Sequence, residues 1–86
     1  MRKRRPRPGD ALFGDSPVPR YAQLSTLLRR RIERGDWPPG AQLPTLDALV
    51  AEFGVARVTV RQAVTLLARD GLVRAERGRG TFVTGP

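Results

Sequence analysis

Twenty residues, FGVARVTVRQAVTLLARDGL from Phe53 to Leu72, constrain the fold of this chain more than any other stretch. Val60, Ala63, Val64 and Leu67 recur at helical spacing, while Arg57, Thr59, Arg61, Gln62, Thr65 and Arg69 fill the opposite side. One side is built to pack and the other carries cations. Gly54 and Gly71, one residue inside either end of the stretch, tolerate the left-handed conformation ending a helix, so a helix is expected from Arg57 to Asp70.

The segment before Gly54 reads as a shorter helix. Thr45 offers an N-cap hydroxyl, Leu46, Leu49, Val50 and Phe53 supply an apolar side, and Val55 is expected to plug the angle between the two helices. Helix, glycine turn, helix is the arrangement of a helix-turn-helix, although other helical hairpins share it. The first turn of the second helix carries Arg57, Thr59 and Arg61 and no acid, whereas anions are what suit the positive end of a helix dipole. That choice works against helix stability and points to an anionic ligand; in a recognition helix the N-terminal residues are the ones that reach base edges.

Composition agrees. The 86 residues carry a net charge of +8, and all but one of the sixteen cations are Arg, which suits bidentate contact with phosphate and guanine. There is room for one small domain. The absence of Cys and His excludes disulfides, zinc fingers and His-based acid-base catalysis, and no nucleophile-base pair or metal-ligand cluster is apparent. The chain is therefore expected to be no enzyme and to need no cofactor or metal. No apolar run approaches the roughly 18 residues of a membrane span, and no signal-peptide core follows the basic N-terminus, so a cytoplasmic protein without membrane contact is expected.

Residues 1–17 are proline-rich and cationic and are expected to form a disordered arm, either a groove-following arm or a solubilising tail. The folded domain is expected over 18–86. Tyr21, Leu24, Leu27, Leu28 and Ile32 mark an amphipathic helix of about four turns closed by Gly35, with Arg29, Arg30, Arg31 and Arg34 in its C-terminal half. Those arginines suit the helix dipole without any ligand, and phosphate contact remains open. In DWPPGAQLPT, Pro38, Pro39 and Gly40 specify a rigid turn, Trp37 is expected to cover one end of the core, and Leu43 to re-enter it in a strand of two or three residues. Downstream, Leu72–Ala75 and Thr81–Val83 are expected to pair around a turn of Glu76 to Gly80. That pairing would put Leu72, Val73, Phe82 and Val83 on the helices and leave Arg77, Gly78, Arg79 and Gly80 as a cationic wing tip.

The pieces PRYAQL, IERG, PPGAQLPT, LVAEFGVARVTVRQAVTLLARDGLV and GRGTFV, in this order, resemble the GntR family of bacterial transcription regulators over residues 17–83. The resemblance implies a mainly α fold with a small β-hairpin (α+β): a winged helix-turn-helix of three helices plus a two-stranded wing, with the third helix in the major groove of operator DNA. It implies DNA contacts by Arg57, Thr59, Arg61 and the wing tip Gly78 to Gly80. Arg57 and Arg61 suit guanine, and Thr59, Arg79 and Tyr21 suit phosphates. Gln62, Thr45, Asp47 and Arg77 complete the candidate set.

Two positions depart from the family pattern. Asp47 stands where the family usually has a DNA-contacting arginine; it would favour its own helix by roughly 0.3–1 kcal/mol yet repel phosphate, and it is able to accept from cytosine N4 or to pair with Arg57 or Arg61. Ala56 stands where a serine commonly caps the third helix, at a cost of about 0.5–2 kcal/mol unless Thr59 or water compensates. Regulators of the family usually carry a C-terminal domain that binds an effector and dimerises, and three residues follow Val83. The chain is then either an excised domain or a naturally minimal one, and the expectation is a repressor that meets an inverted repeat of double-stranded operator DNA, as a homodimer in the full-length context, with no effector bound by this domain. A non-specific or architectural nucleic-acid module and a winged-helix module for an acidic protein are the alternatives.

Overall fold

In a computed structural model that describes residues 17–85, three helices and one hairpin follow in order: α1 (Arg20–Arg34), α2 (Leu46–Phe53), α3 (Arg57–Arg69), β1 (Val73–Glu76) and β2 (Gly80–Val83). The expected basic arm lies outside the described residues except for Pro17. α3 is the hub, since α1, α2 and β1 all pack against it.

Local chemistry sets the helix ends. In α1 the chain turns at Gly35 with φ 91°, and the Gly35 and Asp36 N–H groups donate to the Ile32 and Arg31 carbonyls. This satisfies carbonyls that a helix end would otherwise leave open. α2 starts where the Thr45 hydroxyl accepts from the Ala48 N–H at 3.0 Å and stops at Gly54, φ 65°. α3 ends at Arg69, one residue short of expectation, and Gly71 then adopts φ 80° while the Leu72 N–H donates to the Leu67 carbonyl. Its start has no side-chain cap: Ala56 holds an extended N-cap conformation, and Thr59 lends only its backbone N–H, to the Ala56 carbonyl.

The core joins Leu24 and Leu28 of α1, Leu43, Leu49 and Phe53, Val55 in the interhelical turn, Val60, Ala63 and Leu67 of α3, and Val73 and Val83 of the hairpin. Leu24, Leu28, Leu49 and Leu67 are fully buried, each contributing about 1.5–3 kcal/mol by removal of apolar surface from water. Trp37 packs against this cluster, and the Arg31 guanidinium lies 5.8 Å from its ring and 5.1 Å from that of Phe53 while pairing with Glu52 at 2.7 Å. Arg29 pairs with Asp70, tying α1 to the end of α3. The Asp36 carboxyl is held below the usual carboxylate range by its hydrogen bond from Arg34. Arg29 and Arg31, which suit the helix dipole without any ligand, thus also clasp α1 to its neighbours.

The hairpin pairs Val73 with Val83 and Arg74 with Phe82. Val83 therefore points inward, and Phe82, its neighbour along a strand whose side chains alternate, does not join it. This corrects the expectation that both face the helices: the Phe82 ring lies under Arg74 and Arg79, 5.9 and 5.6 Å from their guanidinium carbons. The strands also sit one residue later than expected at Val73 and one earlier at Gly80, which shortens the turn to Arg77, Gly78 and Arg79. On its other edge β2 meets residues 41–43 through a Gln42 to Phe82 bridge, with Leu43 N–H donating to the Thr81 carbonyl and Val83 N–H to that of Ala41. Instead of the short strand expected at Leu43, the chain makes only this isolated bridge, centred on Gln42. The architecture is a winged helix-turn-helix.

Candidate nucleic-acid interface

Three candidate groups surround the exposed side of α3. Arg57, Arg61 and Gln62 are exposed along the helix itself, and Thr59 is half-buried on its flank. Thr45 and Asp47 lie at the start of α2. A cleft of about 340 Å³ between α2, α3 and the base of the wing is lined by Thr45, Asp47 and Arg57 together with Gly80 and Thr81. A second, of about 220 Å³, runs between α3 and the hairpin and is lined by Arg61, Thr65, Ala75 and Thr81. Tyr21, half-buried in the first turn of α1, lines neither cleft, nor do Arg77, Gly78 and Arg79 at the wing tip.

Ion pairing divides the cations. Arg57 is bound to Asp47 across the interhelical angle, in a pair that leaves both side chains more than half exposed. The Asp47 carboxylate thus takes the first of the two partners open to it. Arg79 and Arg74 share Glu76, at 3.1 and 2.8 Å. Arg30, Arg61, Arg69 and Arg77 enter no ion pair among the described residues. Of these, Arg61 and Arg69 stand on the outward side of α3 and Arg77 on the wing. Their positive charge has no internal compensation, which is the condition for attracting an external polyanion. Thr45 is partly committed, because its hydroxyl already accepts from the Ala48 N–H.

Two residues outside the candidate set shape this surface. Gln42 donates from Nε2 to the Arg79 carbonyl at 2.9 Å and so braces the wing tip from the α1–α2 connection. Gly80, φ 121°, lies so close beneath it that a Cβ there would fall 2.4 Å from Gln42 Nε2. Val58 is 53% exposed in the first turn of α3. At about 100° per residue it lies directly opposite Val60, Ala63 and Leu67, with Arg61 and Gln62 three and four residues on. The helical period alone carried that signal, and a valine offers no polar group that would mark it. Nothing local in the sequence marks Gln42.

Known proteins share this framework. The family described as bacterial regulatory proteins, gntR family, matches residues 20–83. The chain is 38% identical over 76 residues to a histidine utilization repressor of Pseudomonas putida, covering 88% of this chain and 31% of that protein. It is 46% identical over 65 residues to the mannosyl-D-glycerate transport/metabolism system repressor MngR of Escherichia coli, covering 76% and 27%. The chain spans under a third of the length of these curated relatives. Among solved structures, the DNA-binding domain of AraR in complex with operator ORE1 is similar at a TM-score of 0.75 and 37% identity, covering 78% of this chain and 82% of that one. YtrA, a GntR-family transcription factor from Sulfolobus acidocaldarius, is similar at 0.76 and 28%, covering 84% and 76%. With three quarters of its length matched to the family and the same three helices and wing, this chain belongs to the gntR family of bacterial regulatory proteins.

Proposed function

We propose that this domain binds duplex DNA sequence-specifically in transcription control, as the DNA-reading part of a cytoplasmic repressor. The observation that carries the reading is the outward side of α3. It sets the unpaired Arg61 and Arg69 and the amide of Gln62 on one exposed surface, opposite a stripe wholly committed to the core. A helix of this kind enters the major groove with its N-terminal turns against the bases. Arg61 and Gln62 then read base edges, and Arg57 does so from within its pair with Asp47. Thr59, Tyr21 and the wing arginines Arg77 and Arg79 hold phosphates and fix the register. Gly78 and Gly80 let the tip backbone approach the duplex. The likeness to the AraR domain, which was crystallised on operator DNA, supports this docking.

Control is by occupancy: the bound operator is denied to polymerase, and the domain performs no chemistry. Two copies meet the two halves of an inverted repeat.

Selection from random duplex DNA followed by competition titration tests the reading. Enrichment of a defined motif, bound more tightly than random duplex at every salt concentration, is the expected result. Binding without preference would replace it with a non-specific module, and no duplex binding by the folded domain would replace it with a protein-interaction module.

A further inference from the structure

We propose that Val58 reads the 5-methyl group of a thymine in the major groove, making it a specificity-determining residue of this domain; the inference rests on the docking of α3 proposed above.

A single exposed valine is ordinary on a protein surface. The position of this one is not ordinary. Val58 stands at the middle of the outward side of α3, diametrically opposite the buried stripe, in the turn that leads into the groove. It belongs neither to the core cluster nor to the partly buried side chains packed around it. Helix propensity does not favour it either, because a β-branched residue loses rotamer freedom there and alanine would serve better. Neither packing nor local preference accounts for the residue.

Its surroundings narrow what it is able to touch. Arg57, its neighbour towards α2, stands about 100° round the helix in its pair with Asp47 and so reads from the flank. The middle of the reading surface is left to Val58, flanked by Arg61 and Gln62. Valine has no donor or acceptor, and the one apolar group that bases present in the major groove is the thymine C5 methyl. A cytosine opposite the side chain would instead lose water from its N4 donor with nothing to accept from it, so the same contact selects against a G·C pair.

The test uses the full 86-residue chain and the motif enriched from random duplex DNA. Each thymine of that motif is replaced in turn by deoxyuridine, which removes only the methyl, and dissociation constants are measured for the native domain and for Val58→Ala and Val58→Thr. The native domain is expected to bind one deoxyuridine duplex roughly fourfold more weakly, the factor for one methyl buried from water. Val58→Ala should bind that duplex and its thymine parent equally, and Val58→Thr should keep part of the difference through its remaining methyl. A motif whose thymines are all insensitive, or a sensitivity that persists unchanged in Val58→Ala, overturns the proposal while leaving sequence-specific binding intact. Failure to enrich any motif overturns the docking reading beneath it.

Discussion

Asp47 and Arg57 are ion-paired across the angle between α2 and α3. The carboxylate sits in the first turn of α2, where it also suits the helix dipole, and it occupies the guanidinium that sequence reading assigns to a base. Both side chains remain exposed, so the pair contributes little to stability, about 0.2–1 kcal/mol. Its weight falls on recognition.

Removing the acid should therefore change binding more than folding. Asp47→Asn is expected to free Arg57 and strengthen binding. Asp47→Arg should strengthen it further and steepen the dependence of log K on log salt by roughly 0.9 for each new phosphate contact, with a shift in the selected motif. Fluorescence anisotropy across a salt series checks this; an unchanged slope and motif would place Asp47 away from the duplex.

Arg61 and Arg77 are both without an ion pair among the described residues, yet they should fail differently. Arg61→Ala is expected to cost about 1–3 kcal/mol of discrimination at one base pair. Arg77→Ala should weaken all duplexes by one common factor and reduce the salt slope by about 1. Titrations against single-base variants of the selected motif separate the two patterns.

The start of α3 is an uncapped site already in the right conformation, since Ala56 holds φ −65° and ψ 150°. Ala56→Ser should place a hydroxyl within reach of the first-turn N–H groups and stabilise the domain by about 0.5–2 kcal/mol. In a domain of this size the melting temperature should rise by roughly 4–8 °C per kcal/mol, measurable by circular dichroism. No rise would mean that solvent already satisfies those groups.

At the wing, Gly80→Ala combines a φ of 121° with a Cβ 2.4 Å from Gln42 Nε2. A loss of at least about 1 kcal/mol is expected in urea unfolding. Adding Gln42→Ala removes the steric part but not the backbone part, so the double variant should lose less than the two single losses combined. Strict additivity would show that the clash is relieved elsewhere.

Much of this domain was written locally in the sequence. Helical spacing identified the buried sides of α1, α2 and α3. Gly35, Gly54 and Gly71 placed the helix ends within a residue or two, because a left-handed terminus depends on the residue that occupies it and little else. The wing, too, was legible from two short apolar runs around a glycine-rich turn. Tertiary structure decided what depends on residues far apart in the chain. Period-2 alternation lets only one of Phe82 and Val83 face the helices, and the register with Val73 and the Gln42 bridge made it Val83. The meeting of α2 and α3 chose Arg57 over Arg61 as the partner of Asp47. The same packing gave Gln42 the wing-tip carbonyl of Arg79, 37 positions away, and left Val58 uncovered at the centre of the reading surface. Periodicity tells which side of an element is buried; which side chains meet across elements is settled only when those elements pack.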